Sequence, residues 1–113
     1  MTLQQIIDDR ISFLKEQINL NNEPEVNSTF QIQIDVIRAI DDYNIEKVES
    51  IIQYKKTLLK NSKDVHETDR LFAELDGLEW LQRQIARYAW NRMVVIGILK
   101  EEVVVTVAFA ARS

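Results

Sequence analysis

With 113 residues, the chain is long enough for one hydrophobic core and too short for two, so we expect a single domain over residues 1–113. Its 46% hydrophobic and 28% charged residues are typical of a folded protein and exclude a disordered or fibrous chain. The formal net charge of -4 argues against a nucleic-acid partner, because phosphate binding draws on clustered Lys and Arg.

Nothing in the sequence predicts export or a membrane partner. Cysteine is absent, which fits a reducing compartment and excludes disulfides, thiolate metal sites and a cysteine nucleophile. The N-terminal residues lack the charged-then-apolar layout of a secretion signal. The most apolar region, 93–111, is interrupted at Lys100, Glu101 and Glu102 and falls short of the roughly 20 residues that span a bilayer. We expect a cytoplasmic protein, or one inside a virion assembled in the cytoplasm.

A capping box and an apolar repeat predict the first helix. Thr2 and Gln5 have the spacing of a box in which each residue bonds the backbone of the other. Apolar residues then recur at helical spacing, which predicts a helix over 3–20. Pro24 cannot continue a helix, so we expect a loop over 21–28.

The next two helices are predicted from similar signals. Ser28 and Gln31 form a second box, which predicts a helix over 29–42. The apolar residues of this segment also alternate with polar ones, and a half-buried strand is therefore the alternative. Asn44 is placed to cap a helix over 45–61. The short connection predicts that these two helices form an αα-hairpin.

The longest uninterrupted helical pattern spans residues 65–91 and predicts a spine for the domain. Asp64 and Glu67 have the spacing of a capping box at its start. One broad face is apolar, so the other helices are expected to cover it. Its members are Leu71, Leu75, Leu78, Ile85 and Ala89, with Phe72, Leu81 and Tyr88 beside them.

The composition changes after the spine, where Val and Ile dominate and favour strands. We expect a β-hairpin over 93–110, with strands at 93–99 and 103–109. The alternative is an all-α fold in which the last helix is extended. Both faces of the second strand are nearly apolar, so we expect it to join a sheet with a neighbouring subunit. The side chains on one face are Val103, Val105, Val107 and Phe109.

Two pairs of carboxylates at helical spacing are the first candidates for catalytic residues. Glu46 and Glu49 lie on one helical face, with Asp64 and Glu67 at similar spacing, which resembles the acidic helices of the MazG-like nucleotide pyrophosphohydrolases. In the second pair the Asp precedes the Glu, which is the wrong order for that family. Asp64 is also accounted for as a helix cap. Solvated surface charges are therefore the favoured interpretation.

Other catalytic or ligand-binding motifs are missing from the sequence. His66 is the only histidine, whereas a metal site needs three or four converging ligands. Gly77 and Gly97 are the only glycines, so a Gly-rich phosphate loop is excluded. We therefore expect no enzyme activity, no cofactor and no metal.

The far side of the spine is the most suggestive surface, because Trp and Arg are the residues that most often anchor interfaces. The candidate interface residues on it are Trp80, Arg83, Gln84, Arg87, Trp90 and Asn91. Residues 79–100 contain four basic residues and one acid, whereas residues 21–44 contain five acids and only Arg38. The two regions could attract each other. An equally weighted alternative places both tryptophans in the core.

These observations predict a mainly α-helical, acidic protein that serves as a non-enzymatic structural or assembly subunit of bacterial or bacteriophage accessory type. We expect its partner to be a protein, in the first place a second copy of itself. One alternative is an acidic protein-binding inhibitor or adaptor acting through residues 21–44. Another is a small-ligand-binding protein, or a helical enzyme like the metal-dependent nucleotide hydrolases, with Arg83 and Arg87 near its pocket.

Overall fold

The computed structural model describes residues 2–97 and the side chains through Trp90. Within this part of the chain all regular structure is helical, and the mainly α fold predicted from the sequence is confirmed. The helices are α1 (Leu3–Leu20), α2 (Pro24–Arg38), α3 (Ile45–Asn61) and α4 (Val65–Gly97). None of these four helices contains a stretch long and apolar enough to cross a bilayer.

The first and third helices begin and end where the sequence predicted. Thr2 Oγ1 accepts a hydrogen bond from the Gln5 backbone at 3.2 Å, and the Thr2 backbone N–H donates to Gln5 Oε1 at 2.8 Å. Asn44 Oδ1 accepts from the backbone N–H groups of Glu46 and Lys47, at 2.9 and 3.3 Å. In both helices a side chain before the first turn satisfies N–H groups that have no partner within the helix.

The predicted bounds of the second helix, 29–42, are wrong at both ends. The helix begins at Pro24, because a proline at the first helical position lacks only an N–H that would have no partner there. Asn21 Oδ1 accepts from the Glu23 backbone at 3.1 Å and fixes the approach to this start. The helix ends at Arg38, and the strand alternative for this segment is also wrong.

α4 is the one helix that packs against the other three within residues 2–97, which confirms its role as the spine. α1 also packs against α2, but α2 and α3 do not contact each other. The αα-hairpin predicted for α2 and α3 is therefore wrong. α3 packs on α4 instead, and only residues 62–64 connect these two helices.

α4 extends six residues past the predicted end at Asn91, to Gly97. It therefore includes residues 93–97, which the hairpin prediction assigned to the first strand. The rest of the predicted hairpin lies outside the described residues. This part includes the four side chains predicted to face a neighbouring subunit, Val103, Val105, Val107 and Phe109. Whether the chain forms a hairpin there stays a prediction.

The core is built on the predicted apolar face of α4. Leu78 and Leu81 are completely buried, whereas Phe72 is 54% exposed and Ala89 is also exposed, so the face is narrower than predicted. The other helices contribute mainly branched aliphatic side chains, which pack with α4 in one cluster. Its buried members are Ile7, Leu14, Ile34, Ile37, Val48, Ile52, Leu75, Leu78, Leu81 and Ile85.

Gly77 sets how closely α2 approaches α4. A Cβ atom built at this position would lie 2.8 Å from Val36 Cγ1 and 3.3 Å from both Cα and the carbonyl oxygen of Gln33. The first distance is shorter than any ordinary carbon contact, and the valine side chain has little rotamer freedom in a helix. The glycine is therefore required by packing, although glycine inside a helix costs about 1 kcal/mol relative to alanine.

We expect Gly77→Ala to lower the free energy of unfolding by about 1–3 kcal/mol, because the clash outweighs the gain in helix propensity. In a Val36→Ala background the same change should cost at least about 1 kcal/mol less, because Cγ1 is gone. Urea unfolding of the four proteins in this cycle measures both effects. Equal effects of Gly77→Ala in the two backgrounds would place the close contact elsewhere.

A charged cluster joins α3 to α4 beside the core. The Glu74 side chain is 13% exposed and forms ion pairs with Lys55 Nζ and, at 3.0 Å, with Arg70 Nε. Burial acts to raise the pKa of Glu74, but hydrogen bonds from Lys55 and Arg70, together with their charges, lower it below its ordinary value. The ionised carboxylate therefore stabilises the packing of α3 on α4.

We expect Glu74→Gln to lower the free energy of unfolding by about 1–3 kcal/mol at neutral pH. A carboxyl whose folded-state pKa is lowered contributes stability above its unfolded pKa of about 4.3, and this stability is lost as the pH falls through the folded-state pKa. The difference between wild type and variant should therefore shrink in acid. Denaturant unfolding at a series of pH values measures it, with the exposed, unpaired Glu49→Gln as control. A difference that persists unchanged at low pH would contradict this account.

Candidate protein-interaction site

An arginine held between aromatic rings marks the contact of α1 with α4. The Cζ atom of Arg10 lies 5.4 Å from the centroid of the Phe13 ring and 5.4 Å from that of the Trp80 ring. At this distance the guanidinium is attracted to the electron-rich ring faces. We call Arg10, Phe13, Trp80 and Arg83 the arginine–aromatic surface.

The positive charge of this surface is not neutralised within the described chain. Burial lowers the pKa of Arg10, and the positive charge of Arg83 lowers it further. The Nε atom of Arg10 is buried and has no hydrogen-bond partner. Neither arginine has a carboxylate within 4 Å among residues 2–90. An anion bound beside the two guanidiniums would offset the repulsion between them.

Apolar surface is exposed beside these charges. Phe13, next to Arg10 on α1, is 47% exposed. Trp80 is half-buried and also packs against the core cluster. The surface thus combines exposed aromatic area with two arginines, the composition that is enriched at protein interfaces.

The structure brings together only part of the interface predicted from the sequence. Trp80 and Arg83 belong to the arginine–aromatic surface. Further along α4, Arg87 is exposed and Gln84 and Trp90 are half-buried. The Asn91 side chain lies outside the described residues, as do the four side chains predicted in the tail. The sequence allowed Trp80 either in the core or at an interface. In the structure it packs against the core cluster and also lies beside Arg10.

Sequence reasoning missed Arg10 and Phe13. Their three-residue spacing places them side by side on α1, but Phe13 lies off the apolar stripe that predicts this helix. A large aromatic side chain outside the core stripe, next to an arginine, was the available signal.

A second surface, negatively charged, lies at the connection between α1 and α2. Between Lys15 and Arg38 the chain has four acidic residues and no basic one. Glu23 and Glu25 are exposed, form no ion pair within the described chain and lie beside Leu20, which is 71% exposed. We call residues 20–25 the acidic corner.

The residues considered for metal chemistry are not brought together. Glu46 and Glu49 are exposed on α3, and Asp64 Oδ1 accepts from the His66 backbone at 3.0 Å at the start of α4. In the part of the chain that the structure describes, no three His, Asp or Glu side chains are grouped to hold a metal ion.

A polar cleft of about 400 Å³ lies between α1, α2 and Tyr43. The Tyr43 hydroxyl donates to Gln4 Oε1 at 3.0 Å, and Gln4 Nε2 donates to Asp8 Oδ1 at 2.9 Å. These bonds tie the α2–α3 connection to α1. Three of the polar side chains that line the cleft, those of Gln4, Asp8 and Tyr43, are thus hydrogen-bonded to one another.

We expect Arg83→Gln to raise the free energy of unfolding by a few tenths of a kcal/mol, because it removes repulsion with Arg10. The effect should be largest at low ionic strength, where charges are least screened. Arg87→Gln is the matched control, since it removes an exposed arginine one helical turn further on. Thermal unfolding at low and high salt compares the two variants, and equal responses would show that Arg83 does not act on Arg10.

Comparison with known proteins assigns the chain to no family. No protein-family model, no curated protein and no solved structure matches it. A functional proposal for this chain therefore rests on its own residues and surfaces.

Proposed function

We propose that the chain is a non-enzymatic structural or assembly subunit that associates with further copies of itself, of the kind found among bacterial or bacteriophage accessory proteins. The observation that carries the proposal is that α4 continues to Gly97, twelve residues past Ile85, the last buried side chain among the described residues. The proposal is supported by the length of this helix, by the exposure of its later residues and by the apolar sequence that follows them.

α4 is much longer than the helices that pack against it. Its 33 residues correspond to about 50 Å at 1.5 Å per residue, whereas the 18 residues of α1 correspond to about 27 Å. Ile85 is the last buried side chain among the described residues, and residues 86–90 are exposed or half-buried. The helix nevertheless runs on to Gly97. Arg87, which is exposed, and Trp90, which is half-buried, are therefore placed where a partner could contact them.

The sequence beyond Trp90 gives a reason for such a partner. Residues 93–110 are mostly Val, Ile, Ala and Met, and an apolar segment of this length favours burial against a further protein surface. A second copy supplies such a surface without additional chain length, and symmetric self-association is the commonest form of soluble assembly. The candidate interface then includes Arg87 and Trp90 on α4 together with the four predicted tail residues.

A second candidate function is an acidic adaptor or inhibitor that binds a basic surface of another protein. The observation in its favour is the acidic corner, whose carboxylates are exposed and unpaired within the described chain. Such a contact would be weakened strongly by salt, because exposed charges are screened within about 10 Å at 0.1 M ionic strength. In that case the protein alone would be a monomer.

We expect truncation after Lys100 to lower the oligomeric mass and to leave most of the helical circular dichroism intact, because the buried side chains of the described residues lie between Ile7 and Ile85. Sedimentation velocity of the full-length and truncated proteins measures the mass. A full-length quadruple variant, Val103→Asp/Val105→Asp/Val107→Asp/Phe109→Asp, tests the same surface without truncation.

A full-length protein that sediments as a monomer at tens of micromolar would refute self-association and favour the adaptor. Loss of the helical signal on truncation would instead mean that the tail belongs to the core of its own domain.

A further inference from the structure

We propose that the arginine–aromatic surface of one copy binds the acidic corner of a second copy. This inference rests on the proposed self-association and names the two patches that meet. It concerns residues of α1, α2 and α4 that the structure describes, and it does not depend on the form of the tail.

The two patches cannot neutralise each other within one chain. Arg10 and the last residue of α1, Leu20, are ten positions apart, about 15 Å along the helix axis, and Glu23 lies three residues beyond. An ion pair needs an approach of about 4 Å. Consistently, the four ion pairs among residues 2–90 involve neither patch. Each therefore remains open to another molecule.

The chemistry of the two patches is complementary. A carboxylate placed beside Arg10 and Arg83 would receive charge-assisted hydrogen bonds from accessible N–H groups of the two guanidiniums. It would also remove the repulsion between the two guanidiniums. Leu20 at the corner and Phe13 at the arginine–aromatic surface, 71% and 47% exposed, would lose water from adjoining apolar area.

The corner fits this role better than the other acidic connection, at residues 41–42. There Asp42 already pairs with Lys47 at 3.4 Å, whereas no basic residue occurs from residue 16 to residue 37. The corner also includes an exposed leucine, Leu20 at the end of α1, which lies in sequence between Phe13 and Glu23. A partner at the corner therefore gains both charge pairing and apolar burial.

The contact is heterologous, since the two patches differ. Repetition of a heterologous contact gives a ring if the rotation closes and a filament if it does not. Each copy would present one patch of each kind, so assembly would proceed beyond a dimer. This arrangement is suited to a structural subunit and adds to any contact made by the tail.

A charge-swap experiment on the full-length chain tests the proposal. Arg83→Glu makes the arginine–aromatic surface repel the corner, and the double variant Glu23→Lys/Glu25→Lys makes the corner repel that surface. All three residues are exposed, so folding should be preserved, and circular dichroism checks this. Each variant alone should raise the dissociation constant of assembly at least about tenfold in sedimentation equilibrium.

An equimolar mixture of the two variants should restore assembly, because the altered patches attract each other and the unaltered patches still match. The matched controls are Lys63→Glu and the pair Glu49→Lys/Glu67→Lys, which make the same charge changes at exposed sites away from both patches. These controls should each assemble like the wild type.

The outcomes separate this inference from the function on which it rests. A wild type that is monomeric refutes self-association itself. A wild type that assembles, with both charge variants assembling equally well, overturns the patch contact and leaves self-association in place. Loss of assembly in both variants without recovery in the mixture also overturns it, because the two patches would then bind separate partners.

Discussion

The fold depends on the burial of one apolar stripe on α4. α1, α2 and α3 each pack against this helix, whereas α3 touches neither of the other two within residues 2–97. Leu78, at the centre of the stripe, is completely buried. Its neighbour Gly77 lets α2 approach until a methyl group would no longer fit. Hydrophobic burial and close packing on a single helix thus organise the domain.

Local signals were sufficient wherever one side chain decides the local structure. The Thr2–Gln5 box and the Asn44 cap predicted two helix starts, because capping is a matter of a few adjacent atoms. Pro24 predicted a loop over 21–28 after the first helix, but it is the first residue of α2, because proline is equally suited to the first turn of a helix. A proline in a loop and a proline at the start of a helix look the same in a sequence, and only the path of the backbone distinguishes them.

Contacts between elements were less predictable. Because α2 and α3 are consecutive and closely connected, the sequence predicted that they pack together. In the structure α3 packs on the apolar face of α4 instead. The same limit applies to the candidate site. Trp80 and Arg83 could be singled out from their spacing on one helix, but Arg10 and Phe13 join them only through the docking of α1. The role of Gly77 was invisible for the same reason, since its neighbours are on another helix.

Ion pairing divides the surface of this small domain into two regimes. Lys55, Glu74 and Arg70 satisfy one another beside the core, and their geometry stabilises the monomer. Arg10 and Arg83 have no carboxylate partner among residues 2–90, and the repulsion between them opposes the attraction of Arg10 to the rings of Phe13 and Trp80. Unpaired charge next to exposed aromatic surface is destabilising alone and favourable against a complementary patch. A subunit that functions in an assembly can retain such a surface, because its native environment includes the neighbour.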